Sequence, residues 1–185
     1  ALWNMSLFGK PAFDGKATPW HQDGQYWPVR PLATCSVWVA IDDSTIENGC
    51  LQVIRGSNRC GRLEHGQVAD QTGADLKRVE ALLERLELVY PELDPGDALF
   101  FHCNTLHRSD QNTSPNPRWS LICCYNAARN NPVREHHHPC YSRLYKVDDA
   151  AIKKVGIKRF ADDDSDVAWI SSSEDSSAGS LKKQD

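Results

Sequence analysis

The sequence predicts a mainly β chain, an antiparallel barrel or jelly roll with one substantial helix. Short apolar runs, rich in β-branched and aromatic residues, recur at roughly 8–15-residue spacing. Clusters of Gly, Pro, Asn and Asp separate them. Only residues 75–88 carry a good helical repeat. With 185 residues, 40% of them hydrophobic, the chain has material for one domain with a real core.

Each element follows from its residues. Residues 2–8 alternate loosely and end in a Gly-Lys-Pro turn, as a strand would. Residues 34–41 (TCSVWVAI) form a strand, with Val37, Val39 and Ile41 on one face and Ser36, Trp38 and Ala40 on the other. Glu47-Asn48-Gly49 is a turn, and Leu51–Ile54 a short strand that closes at Gly56-Ser57. In the helix over 75–88, Leu76, Val79, Leu82, Leu83 and Leu86 fall at helical spacing as a barrel-packing stripe, and Asp75 is placed to cap its start. Asp94-Pro95-Gly96-Asp97 turns into a strand over 98–103, and Asn112–Pro117 turns into another over 119–125.

Charge and cysteine content narrow the function. The net charge is −4, yet residues 162–185 hold seven acids against two lysines, which leaves the body at 18 acids and 19 bases. Such a body offers no electrostatic case for nucleic acid or an anionic membrane. No apolar run approaches the ~20 residues that cross a bilayer. A soluble, cytoplasmic protein is expected, with a targeting signal ahead of Ala1 left open. Seven cysteines, without a CxxC pair, fit buried free thiols in a reducing compartment. From Asp162 the chain is rich in Asp and Ser without periodicity, which predicts an acidic tail over 161–185 after a domain of 1–160. Oligomeric state is not legible.

The stretch Trp20-His21-Gln22-Asp23-Gly24 carries chemistry. In an extended segment His21 and Asp23 project to the same side, so an imidazole and a carboxylate can share one metal ion. A solvated surface strand would show the same pair. A third ligand must come from elsewhere, and His107, just past the strand over 98–103, is the candidate. Two histidines and a carboxylate on one face of an ion leave positions open, which suits non-haem Fe(II) that binds a co-substrate and O2. Arg118, with Ser120 two residues on, would point into the barrel, where its guanidinium fork matches a carboxylate; its alternative is a surface base.

The run HQDGQYWPVRP, the strand with Trp38, Glu47-Asn48-Gly49-Cys50-Leu51, and PGDALFFH…LHRSDQN…PRWS together resemble the phytanoyl-CoA dioxygenase family. The resemblance runs from about residue 2 to residue 130. It implies a double-stranded β-helix, a cupin-like jelly roll with a few flanking helices. It also implies a dioxygenase that hydroxylates a C–H bond of a small molecule with Fe(II), 2-oxoglutarate and O2, releasing succinate and CO2. On that resemblance His21, Asp23 and His107 are the iron ligands and Arg118 clamps the far carboxylate of 2-oxoglutarate. Trp38 and Ser109 line the co-substrate pocket, and Ser120 completes an Arg-x-Ser pair. Related halogenases carry Gly or Ala at the position of Asp23, so its carboxylate favours hydroxylation.

The chain departs from the family in three places. Members carry many more residues ahead of the HxD strand, Ile54-Arg55-Gly56-Ser57-Asn58 stands where relatives have Pro-Gly-Ser-His, and the acidic tail has no counterpart. The short N-terminus motivates a second hypothesis, a non-catalytic barrel that binds a ligand or partner. Tyr26, Trp27 and Arg30 are expected at the barrel mouth, framing a substrate, or else in a packed aromatic turn fixed by Pro28 and Pro31. His65 could reach the same mouth, a loop histidine being the commoner outcome, and Asn126 shares the parity of Arg118 and could face the cavity. His102 is expected as a packed polar residue and His136-His137-His138 as a solvent loop.

Overall fold

The computed structural model describes residues 2–27, 29, 33–68, 71–127, 130, 133 and 148–151. The chain divides into units of residues 1–144 and 145–185. In the second unit Asp148 accepts backbone N–H groups from Ala150 and Ala151, as at the start of a helical turn. Arg30, Cys140, the three consecutive histidines and the acidic tail lie outside the described residues, as does the expected boundary at 160/161.

The described residues of the first unit form ten strands and one α-helix, with short 3-10 turns at Asp23–Gln25 and Ser57–Cys60: β1 (Leu2–Lys10), β2 (Thr18–His21), β3 (Cys35–Ala40), β4 (Leu51–Ile54), β5 (His65–Val68), β6 (Gln71–Ala74), α1 (Leu76–Leu83), β7 (Leu88–Val89), β8 (Ala98–His102), β9 (His107–Ser109) and β10 (Arg118–Tyr125). Two four-stranded sheets run in the orders β1-β10-β3-β8 and β2-β9-β4-β7. Every pairing is antiparallel. The pairs β1–β10, β2–β9, β3–β8 and β4–β7 are those of one long hairpin. The β10–β3 and β9–β4 contacts join its successive turns as it winds. That is a double-stranded β-helix, or jelly roll, with β5, β6 and α1 inserted at the tip of the wound hairpin.

Side-chain alternation sets the core. Trp38, Ala40 and Leu51 pack between the sheets with Leu99, Phe101 and Ile122. Val79 of α1 joins Trp20, Ile54 and Leu106 on the other side of the β2-β9-β4-β7 sheet. The inward face of β3 carries Ser36, Trp38 and Ala40, as its alternation predicts.

The helix is shorter than the expected 75–88. Asp75 caps it, its carboxylate accepting the Arg78 N–H at 2.9 Å, but the helix ends at Leu83. Beyond it the Glu87 carbonyl accepts the Arg55 N–H, and Leu88 and Val89 pair with Ile54 and Val53. The free edge of β4 therefore takes backbone groups that helical spacing alone would assign to α1. The stripe is also incomplete: Leu82, Leu83 and Leu86 pack on the core, whereas Leu76 is exposed. The β5–β6 hairpin was not expected, because Gly66 and Gly73 dilute its strand signal.

Among the described cysteines all are free; Cys50, Cys103, Cys123 and Cys124 are buried and Cys60 is exposed. No helix among the described residues is long and apolar enough to cross a membrane.

Candidate metal centre

His21 closes β2 and His107 opens β9, directly opposite it in the ladder. His107 thus lies in a short strand of its own, one turn beyond β8. His21 Nδ1 lies 2.9 Å from the Pro19 carbonyl and His107 Nδ1 3.0 Å from the Thr105 carbonyl. A carbonyl only accepts, so each ring carries its proton on Nδ1 and keeps the Nε2 lone pair for another partner. Those Nε2 atoms lie 3.7 Å and 3.6 Å from Asp23 Oδ1. One ligand atom from each of the three residues lies within 4.8 Å of the others, a grouping that can hold one metal ion. Burial, and next the adjacent His107, push His21 down to about 4 against the opposing pull of Asp23. His21 is therefore neutral at pH 7, the form a metal requires.

The turn that presents Asp23 is held from several sides. Gln22 is fully buried, with its backbone extended (φ −125°, ψ 128°), so its side chain points away from those of His21 and Asp23. Its amide donates to the carbonyls of Gly61 (2.8 Å) and Asn104 (2.6 Å) and accepts the Leu63 N–H (2.7 Å). The Gln22 N–H donates to His65 Nε2 at 3.1 Å, and His65 Nδ1 faces the Leu63 carbonyl. His65 thus anchors the HxD backbone instead of facing the barrel mouth. Ser36 donates its hydroxyl to Asp23 Oδ2. Ser57 accepts the Leu106 N–H at 2.8 Å and fixes the approach to His107.

A cavity of about 120 Å³ is lined by the three clustered residues together with Trp38, Ser109, Arg118, Leu51, Phe101 and Ile122 among others. Arg118 is 1% exposed, and its Nε and Nη1 have no hydrogen-bond partner. Its Cζ lies 5.1 Å from the Trp38 ring centroid, which leaves the planar fork stacked on an aromatic face. Burial lowers its pKa to about 10, so it stays charged at neutral pH. Ser120 is buried next to Arg118 on the inner face of β10, but its hydroxyl donates to the Phe8 carbonyl and it does not line this cavity.

The other expected mouth residues separate. Trp27 is buried with Val29, Cys103 and Cys124, so it is core and not mouth. Tyr26 is exposed beside the Asp23 turn. Asn126 is buried, and its amide donates to the Asn130 carbonyl at 2.9 Å. His102 lies on β8, with Nδ1 accepting the Asn104 N–H at 3.0 Å.

Gln22, Ser36 and Ser57 were absent from the expected site. For Ser36 the signal existed: a hydroxyl on the inward face of a core strand must find a partner. For Gln22 it did not, because its side-chain partners come from distant segments, and for Ser57 it did not, because the Leu106 N–H it accepts is distant even though the Ile54 carbonyl it donates to is close by.

A sequence model of the family described as phytanoyl-CoA dioxygenase (PhyH) matches residues 1–120. The chain belongs to this family. A probable phytanoyl-CoA dioxygenase of Caenorhabditis elegans is 33% identical over 125 residues, 64% of this chain and 40% of the relative. The crystal structure of EctD from S. alaskensis with 2-oxoglutarate and 5-hydroxyectoine is 30% identical, with a TM-score of 0.60 over 71% of this chain and 46% of that one. The structure of EctD from S. alaskensis with bound Fe gives a TM-score of 0.62, also at 30% identity and over 71% and 46% of the two chains. This PhyH-family chain therefore spans less than half the length of these relatives.

Proposed function

We propose that this chain carries the catalytic core of an iron(II)- and 2-oxoglutarate-dependent dioxygenase that hydroxylates a C–H bond of a small molecule. The observation that carries the reading is Arg118, whose Nε and Nη1 are buried without a partner in the cavity that also holds the His21, Asp23 and His107 cluster. Buried donors are rarely left unpaired, and a buried guanidinium with unmet donors calls for an anion, of which a carboxylate is the usual match. Two imidazoles and one carboxylate are the donor set that suits iron(II) with open positions. The residues present thus fit both groups. The iron and 2-oxoglutarate reported for EctD give the same pairing in a relative.

In this reading His21 and His107 bind iron through Nε2, and Asp23 binds through its carboxylate. Arg118, stacked on Trp38, receives the far carboxylate of 2-oxoglutarate, with Ser109 in the wall and Ser120 at the next inward position of β10, bonded to the Phe8 carbonyl. Bound iron with 2-oxoglutarate and O2 supplies the oxidation that yields succinate, CO2 and a hydroxylated product. The chain's own part is to bind, orient and exclude water. Leu51, Phe101 and Ile122 supply apolar parts of the cavity wall. With Asp23 in place, one coordination position is filled by protein, which favours hydroxylation. At about 120 Å³ the cavity is smaller than the ~300–1,000 Å³ of typical ligand pockets. It matches a co-substrate, so the primary substrate is met outside it, with exposed Tyr26 beside the metal turn as one contact.

Anaerobic titration of iron(II) and 2-oxoglutarate tests the reading. The expected result is a visible metal-to-ligand charge-transfer band that disappears in His107→Ala and Arg118→Ala, with succinate release lost in Asp23→Ala. A folded chain that takes up no iron would instead support a non-catalytic binding barrel.

A further inference from the structure

We propose that Ser36 is a positioning residue of the metal site, whose buried hydroxyl fixes the rotamer of Asp23 so that Oδ1 is presented to the ion. The inference rests on the iron reading above and concerns a residue outside the wall of the cavity that holds the cluster.

The two carboxylate oxygens of Asp23 have different surroundings. Oδ1 faces the imidazoles, at 3.7 Å from His21 Nε2 and 3.6 Å from His107 Nε2. Oδ2 accepts the Ser36 hydroxyl proton. An aspartate side chain in a turn has free rotation about two bonds, and only a fixed partner holds it in one orientation before the metal arrives.

Ser36 is well built for that task. It is fully buried, so no solvent competes for its proton. It lies on β3, flanked by β10 at Cys124 and by β8 at Phe101, so its backbone is held on both sides. Its other neighbour is the Cys124 sulfur at 4.0 Å, a weak partner that leaves the carboxylate as the strong acceptor. The inward positions beside it on the strand are Trp38 and Ala40. A hydroxyl in such apolar company costs free energy unless it is bonded, so packing does not account for Ser at this position. Partners that orient a metal ligand commonly change metal affinity by about 10–100-fold when removed.

The test is iron(II) affinity, measured anaerobically against a competing chelator, in Ser36→Ala, Ser36→Cys and Ser36→Thr, with the melting temperature of each metal-free protein alongside. Thr keeps the donor, Cys keeps the volume with a weak donor, and Ala removes the donor. Affinity should follow donor strength, with Ala about 10–100-fold weaker than wild type and Thr near wild type. Equal affinities across the series would overturn the proposal, as would affinities that track the melting temperature instead of the donor. Wild type that binds iron beside an unchanged Ser36→Ala sinks this inference alone; wild type that takes up no iron sinks the iron reading with it.

Discussion

Lys10 and Arg118 are register partners across the β1–β10 pairing, and each is 1% exposed. The two buried cations are in opposite states. Lys10 donates through Nζ to the carbonyls of Lys16 and Asp110, at 2.5 Å and 2.7 Å. Arg118 leaves Nε and Nη1 unpaired. One cation fastens the loop and turn at its end of the barrel, and the other is held ready for an anion.

Lys10 makes stability depend on pH. Burial, and next the charge of Arg118, lower it from 10.5 to about 8, against a smaller opposing pull from Asp110. Between those two values the folded chain holds fewer protons than the unfolded chain, so this group makes stability rise with pH. Cys50 and Cys124, raised by burial to about 11 and about 12, act in the opposite direction above their usual 9. Comparing wild type with Lys10→Met removes that contribution. Denaturant melts from about pH 7.5 to about pH 9.5 should show wild type gaining on the variant, and parallel curves would show that another group titrates.

Arg118→Met should separate binding from folding. Loss of the fork should weaken 2-oxoglutarate binding to the iron-loaded protein on the order of 100-fold or more. The melting temperature without ligands should stay level or rise, because an unpaired buried charge is replaced by an apolar chain of similar length. A large fall in that temperature would mean that Arg118 is structural.

Gln22→Leu keeps the volume and removes three hydrogen bonds. The Leu63 N–H and the Gly61 and Asn104 carbonyls would lose their partner. Stability should fall by about 3 kcal/mol or more in a denaturant melt, and a loss below ~1 kcal/mol would show that water takes the vacated space.

Gly49 and Gly56 give a matched pair. Both have positive φ, +79° and +84°. A Cβ on Gly49 would lie 2.5 Å from the Asp110 carbonyl oxygen, the acceptor of Lys10, whereas one on Gly56 meets nothing within 4 Å. Gly56→Ala should cost about 1 kcal/mol from backbone conformation, and Gly49→Ala at least ~2 kcal/mol more, read as the difference between their melts.

How far sequence leads depends on where a residue's partners lie. The alternation that put Ser36, Trp38 and Ala40 on one face of β3 is local, and it holds. The spacing that put His21 and Asp23 on one side is also local, and it led to the cluster with His107. The end of α1 was missed because it is set by the edge of β4, far off in the chain. For Trp27 the sequence leaves a mouth position and a packed turn both open, and the structure puts it in core space beside Cys103; for His65 it leaves the mouth open beside a loop position, and the structure bonds it to the Gln22 N–H. Aromatic and imidazole groups at the ends of short elements carry no local mark that distinguishes a ligand contact from a structural one.

The wound hairpin has a consequence for how the centre is assembled. His21 and Asp23 belong to its outgoing arm, and His107 and Arg118 to the returning arm, so none of the site exists until both arms have zipped together. Such pairing between distant parts of the chain is slow to form, typically in milliseconds to seconds for two-state domains of high contact order. An ion gripped by both arms acts as a rivet across them. Metal starvation would then leave the arms free to part at the β2–β9 seam, and binding would slow unfolding more than it speeds folding, because the rivet can be set only after the arms have met.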